Sequence, residues 1–206
     1  MQLDHLVWAS PSLDDAVAAF ADMSGVQATA GGRHMGIGSR NALADLGDRV
    51  YLAIDGPDRE QSLTDNYGAQ LAALARPTLS RFAVQTGDLA AAQAVLARHG
   101  IASEVRPGGR TGTNGETYAW QTLAVADRSL GAGMPIIKTW LTPQHPSSEA
   151  PSGCQLVALT VAHDTPDTVR RLYEDLGLDL SVTTAARPGL TAEFVGARGR
   201  FTLTTA

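Results

Sequence analysis

The sequence predicts an α+β fold built from a repeated β-α-β-β-β unit, and three observations carry that reading. Residues 3–16 align without a gap on residues 79–92, and a third stretch at 156–176 follows the same pattern. The equivalent positions His5, Arg81 and Ala158 lie 76 and 77 residues apart, so the period is regular. Each copy opens with a short alternating apolar run, then a turn, then an amphipathic helical segment, which is the change of period expected where a strand feeds a helix.

The elements follow in order. In the first copy the strand ends at Pro11, which lacks a ladder donor, and Ser12 is set to cap a helix with Asp14 and Asp15 in its first turn. Residues 26–29 read as a short strand and residues 30–39 as a glycine-rich loop. Residues 41–46 and 50–55 read as two strands joined through Gly47-Asp48, a hairpin signal. A helix from about 65 to 75 stops at Pro77. The second copy has its strand from Leu79, a helix over 88–99 ending at Gly100, and strands near 102–106, 117–124 and 134–141. Residues 108–115 read as a hairpin loop rich in turn formers. After the Pro/Ser-rich stretch 143–153, the third copy has a strand at 156–163, a helix at 167–176 ending at Gly177, and strands near 179–184, 190–196 and 200–205. The expected modules are residues 1–77, 78–148 and 149–206, the first two together forming one domain.

Composition narrows the function classes. A 206-residue chain that is 44% hydrophobic and 18% charged matches an ordinary globular protein. A net charge of −5 gives no basis for binding nucleic acid or an anionic membrane. No apolar run reaches the length of a membrane span, and the N-terminal residues show no signal-peptide pattern, so the expectation is a cytoplasmic protein. The single cysteine, Cys154, excludes an internal disulfide and a Cys-rich zinc site; it reads as a small residue starting a strand.

The repeated unit beginning Leu3-Asp-His-Leu-Val7 resembles the vicinal oxygen chelate superfamily. The stretch from Gly31 through Arg33, His34, Arg40 and Asn41 to Leu43, with Leu46-Gly-Asp48 and Tyr51-Leu52, resembles its glyoxalase-like domain branch. Further similarity lies in Arg110, Asn114-Gly115, Trp120, Pro135, Trp140 and His145-Pro-Ser147. The resemblance covers residues 3–147 well and the last 50 or so residues by pattern only. It implies two modules whose sheets curl into an open, cup-shaped mixed sheet around a small-molecule site. Enzymes of the superfamily often hold a divalent metal there, on the first and last strands of each module. Carried over by residue, the first-strand positions are His5, Arg81 and Ala158, and the last-strand positions are Ala53, Lys138 and Thr204. A divalent ion needs several oxygen or nitrogen donors. With alanine and two cations standing there, no metal and no other cofactor is expected.

Strand alternation puts His5, Val7, Tyr51, Asp55, Arg81, Gln85, Lys138 and Trp140 on the concave side. Arginine and lysine over an apolar, aromatic surface suit an anionic organic ligand. The resemblance adds His34, Arg40, Asn41, Arg110, Trp120 and His145 as candidate ligand contacts. The expected function is metal-independent binding of a small anionic molecule. The alternative is an enzyme of the same superfamily (a lyase, isomerase or oxygenase) using His5 or His34 as acid or base, either with Lys and Arg holding an oxyanion or with a divalent metal. His99 and His163 read as surface or structural, and Trp8, opposite His5, as core. The third module has no partner of its own kind within the chain, so a homodimer through its face bearing Thr160, Thr202 and Thr204 is expected.

Overall fold

In the computed structural model, which describes residues 1–112 and 115–206, the chain forms two sheets with helices between them. The first module is β1 (Gln2–Ala9), α1 (Leu13–Ser24), β2 (Thr29–His34), β3 (Ser39–Asp45) and β4 (Tyr51–Pro57), followed by the short α2 (Tyr67–Ala72). The second is β5 (Thr78–Gln85), α3 (Leu89–Arg98), β6 (Ser103–Thr111), β7 (Thr117–Val125) and β8 (Ile136–Trp140). The third is β9 (Cys154–His163), α4 (Pro166–Leu176), β10 (Ser181–Thr184), β11 (Gly189–Gly196) and β12 (Gly199–Thr204). The β-α-β-β-β order therefore occurs three times.

Local signals act where the sequence places them. Ser12 accepts from the Asp15 N–H at the start of α1, and Gly25 closes that helix at φ 79°. Asp88 caps α3 through the Ala91 N–H (2.9 Å), and Gly177 at φ 65° ends α4. The expected glycine-rich loop at 30–39 is instead mostly strand: β2 runs to His34 and only residues 35–38 turn, with Gly36 and Gly38 at positive φ. Gly31 belongs in a strand because a Cβ there would lie 2.5 Å from Asn41 Oδ1 and 2.6 Å from Leu43. Likewise β6 continues to Thr111, so Arg110 sits on a strand and not in a loop. Asn114 lies outside the described residues.

The first two modules share one eight-stranded mixed sheet, in the order β2-β3-β4-β1-β5-β8-β7-β6. β1 pairs parallel with β4, β5 pairs parallel with β8, and the modules join where β1 and β5 run antiparallel. The sheet curls until its edge strands β2 and β6 approach one another. There the Arg110 guanidinium donates to the Gly31 carbonyl. The convex face carries Leu6, Trp8, Leu52, Ile54, Phe82 and Ile137, all buried against the helices.

The third module repeats the element order but not the pairing. Its sheet runs β10-β9-β11-β12, so β9 is flanked by β10 (parallel) and β11 (antiparallel), and β12 takes an edge. Nor is its apolar face covered by α4 alone. That face lies on the convex back of the large sheet, closing the gap between α1 and α3: Phe20 packs edge-on to Phe201, Phe82 to Tyr173, and Phe194 stacks on Phe201 at 5.0 Å. The Tyr173 hydroxyl donates to the Gly133 carbonyl, and the Thr205 hydroxyl donates to the Leu79 carbonyl (2.7 Å). Thr202 and Thr204 stay exposed on the opposite face. Among the described residues, no helix is long and apolar enough to cross a membrane.

Candidate functional site

The site starts from an irregularity in β1. In the β1–β5 ladder Leu3 faces Val84 and His5 faces Ala83, so Asp4 is an extra residue; on the other side of the local two-fold, Ser80 is the extra residue of β5. A bulge re-aims the side chain it carries. Strict alternation would send Asp4 with Leu6 and Trp8 into the convex core. The bulge instead delivers its carboxylate to the cup side, with no exposed surface.

Asp4 is the hub of the cup. Its Oδ2 accepts from Trp140 Nε1 (2.7 Å) and His145 Nε2 (3.2 Å). Its Oδ1 accepts from His5 Nδ1 (2.5 Å) and faces Lys138 Nζ at 3.9 Å. Burial alone would raise this carboxyl, but the hydrogen bonds from His145 and His5 and the charge of Lys138 outweigh burial and hold it well below the usual carboxylate range. The two histidines differ in what they have left. His145 uses both nitrogens, because Nδ1 accepts the Ser147 N–H while Nε2 donates to Asp4. His5 gives only Nδ1 to Asp4, its ring is stacked on Tyr51 at 4.6 Å, and its Nε2 has no partner among the described residues. Burial, against the pull of Asp4, keeps His5 below its ordinary value, so the ring is neutral with a lone pair on Nε2.

Around this hub lies a cavity of about 170 Å³. His5, His34, Tyr51, Asp55, Arg110, Trp120, Lys138 and Trp140 line it, with Asn41, Thr122, Val7, Ala53 and Ile136 between them. Lys138 Nζ sits 3.5 Å from the Trp140 ring centre and 4.7 Å from that of Trp120. Burial pulls its ammonium down to about 8, with Asp4 resisting and Arg110 adding to the fall. Burial, with the charge of Arg110 behind it, holds His34 at about 4, and its Nδ1 meets the Ser39 hydroxyl at 2.9 Å. Across the cup, burial pushes Asp55 up to about 6 although Tyr67 donates to its Oδ2 (3.0 Å) and Arg81 is near. Asp55 Oδ1 and Asn41 Oδ1 are buried without a donor among the described residues.

Eight of the eleven expected ligand contacts meet here: His5, His34, Asn41, Tyr51, Arg110, Trp120, Lys138 and Trp140. His145 stands behind them on Asp4. Two do not reach the cup. Arg40 points out and pairs with Asp14 of α1 (3.0 Å), and Arg81 is exposed, lying 4.5 Å over the Tyr67 ring. The second cation of the cavity is Arg110. The register also corrects the expected equivalences. Val7 faces Ala53 and its counterpart Ala83 faces Ile136, so the counterpart of Ala53 is Ile136, and that of Lys138 is Asp55. Asp4 was missed because nothing local marks a bulge; the one signal was a charged residue inside an apolar strand, next to His5. His99 bonds Asp175 at the surface (2.8 Å), and His163 is buried against Thr165. Burial pushes the Cys154 thiol up to about 11.

The superfamily's divalent metal does not fit the donors present. Of the positions that would hold it, His5 is committed through Nδ1 to Asp4, Ala53 and Ile136 have no donor atom, and Arg81 turns away. Lys138 adds a positive charge beside them. Among the described residues no group of three or more His, Cys, Asp or Glu side chains is arranged to hold a metal.

Two β-α-β-β-β modules joined through their first strands around a lined cup define the vicinal oxygen chelate class of fold. A family profile described as a glyoxalase-like domain matches residues 3–177, most of the chain, and the protein belongs to that family within the superfamily. No curated protein sequence matches it. Among solved structures, a mutant of 4-hydroxymandelate synthase from Streptomyces coelicolor is similar over 98% of this chain and 62% of its own (14% identity, TM-score 0.55). Methylmalonyl-CoA epimerase from Mycobacterium tuberculosis aligns over 68% of this chain and 86% of its own (22% identity, TM-score 0.45). The Streptomyces coelicolor epimerase in complex with 2-nitronate-propionyl-CoA aligns over 70% and 99% (22% identity, TM-score 0.46).

Proposed function

We propose that this protein binds a small anionic organic molecule in its cup without the aid of a metal. The observation that carries the reading is the pair of cations at the cavity wall. Lys138 is 4% exposed, and the half-buried Arg110 is the second. A buried cation is tolerated only with compensation. Lys138 has Asp4 at 3.9 Å and two indole faces, but Asp4 is shared with His5, His145 and Trp140. Arg110 has a carbonyl, the Tyr118 face 4.5 Å away and the more distant charge of Glu149, with no carboxylate in ion-pair contact among the described residues. A ligand carboxylate supplies the missing negative charge. Trp120, Trp140 and Tyr51 provide flat apolar walls for its carbon frame. The volume of about 170 Å³ suits a small acid and not a nucleotide-sized molecule.

Calorimetric titration with a panel of short mono- and dicarboxylates tests this. Anionic members should bind, Lys138→Met should weaken them at least tenfold, and the exposed control Arg171→Ala should leave them unchanged. Binding confined to neutral or cationic compounds would remove the proposal. For assembly, we propose a homodimer through the third module's sheet face at Thr160, Thr202 and Thr204, where Thr202 and Thr204 are exposed and Thr160 is half-buried.

A further inference from the structure

We propose that the cup transfers protons to and from carbon: His5 Nε2 is the base, Lys138 and Arg110 hold the anion that forms, and Asp4 positions His5. This rests on the anion-binding reading above and adds a reaction to it. The class of substrate that fits is a small 2-oxo carboxylic acid, whose carboxylate meets the cations and whose carbonyl acidifies the neighbouring C–H.

The geometry at Asp4 assigns the tautomer. Its carboxylate accepts from Trp140, His145 and His5, and an anionic acceptor at 2.5 Å requires the proton on His5 Nδ1. The lone pair then lies on Nε2 at the cavity wall. His145 has both nitrogens bonded, whereas the buried His163, like His5, leaves Nε2 without a partner among the described residues. Of these three histidines His5 alone lines the cavity, so its unpartnered Nε2 is the one available to a ligand there. Its ring cannot swing away, because Tyr51 stacks on one face and Asp4 holds the other edge. Once a proton arrives, Asp4 faces the imidazolium with a full negative charge.

The step balances as follows. The C3–H bond of the 2-oxo acid breaks and the proton passes to Nε2. The bonding pair becomes the C2–C3 double bond, and the carbonyl π pair moves onto O2. Lys138 donates to the resulting enolate oxygen, and Arg110 takes the carboxylate. Return of a proton to carbon restores the 2-oxo acid or its isomer. The charged or titratable groups facing His5 are Asp4 on its own strand, Tyr51 on β4, Lys138 on β8, His145 after β8, His34 on β2 and Arg110 on β6.

The test is proton NMR of pyruvate in D2O with the full chain, following loss of the methyl signal, with saturation-transfer difference measuring binding in the same tube. The expected result is wash-out about 10²–10⁴-fold faster than in buffer. It should be lost in His5→Gln with pyruvate still bound. The wild-type rate should rise with pH through one ionisation below 6.5, where the neutral ring forms, hold a plateau, and fall again as Lys138 loses its proton near 8. Asp4→Asn should lower the rate and move that ionisation further down, because the imidazolium loses its counter-charge; a purely structural role would leave the profile in place. The wild-type profile stands without any variant. Pyruvate that binds but exchanges at the buffer rate overturns the proton-transfer proposal alone. Failure of both pyruvate and 2-oxobutyrate to bind overturns it together with the anion-binding reading.

Discussion

Replacing Asp55 with asparagine should stabilise this protein at neutral pH, and the gain should be absent in acid. Asp55 is 6% exposed, its Oδ1 has no donor among the described residues, and burial lifts its pKa from 3.8 to about 6. A group whose folded value is raised contributes stability that is complete below the unfolded value, near 3.8, and is lost as pH rises through the folded value, near 6. A shift of this size, at 1.36 kcal/mol per unit, corresponds to about 3 kcal/mol as an upper limit. Asparagine keeps the shape and an oxygen for the Tyr67 hydroxyl but carries no charge to desolvate. The measurement is urea unfolding of both proteins from pH 4 to 8. The difference in their stabilities should climb between pH 4 and about 6.5 and stay flat above. Its value at pH 4, just above the unfolded ionisation, reports mainly the exchange of acid for amide, so the slope isolates the charge. A difference that is constant with pH, or that falls, would refute the reasoning; a fall would mean that Arg81 compensates the carboxylate fully.

Three further outcomes are expected. Trp140→Phe removes the indole donor to Asp4 Oδ2 and weakens the ring face under Lys138. It should cost about 1–3 kcal/mol in chemical denaturation, the range for a lost hydrogen bond to a buried charge. Gly68→Ala would put a Cβ 1.8 Å from the Gly38 carbonyl oxygen. It should lift α2, with Tyr67, off Asp55 and lower stability by about 1–3 kcal/mol or more, read by thermal unfolding and by tyrosine fluorescence. Light scattering of the full chain at micromolar concentration should show a dimer that Thr202→Arg converts to a monomer. A point substitution is the sound probe here, because deleting the third module would uncover Phe20 and Phe82.

Much of the fold was legible in the chain because its signals are local. Ser12 and Asp88 cap helices, Gly25 and Gly177 end them, and the ungapped match of residues 3–16 to 79–92 states the repeat outright. Alternation along β1, β4 and β8 was enough to bring His5, Tyr51, Lys138 and Trp140 to one face, since period-2 geometry needs no partner to be read. What the sequence alone could not decide depended on contacts between residues far apart in it. The third module has the element order of the others, yet β9 pairs with β10 and β11, because its apolar face is taken up by Phe20 and Phe82 and not by a copy of itself. Residues 30–34 are strand because the glycines let β2 lie against Asn41 and Leu43, a close approach visible only once β3 is beside it. Arg81 and Arg110 are chemically alike. The tertiary structure sends the first to Tyr67 and closes the sheet so that the second reaches Gly31 and the cup. Asp4 is the sharpest case. One inserted residue in the ladder reverses its face, and a carboxylate that the period-2 pattern assigns to the apolar core becomes the centre of the site.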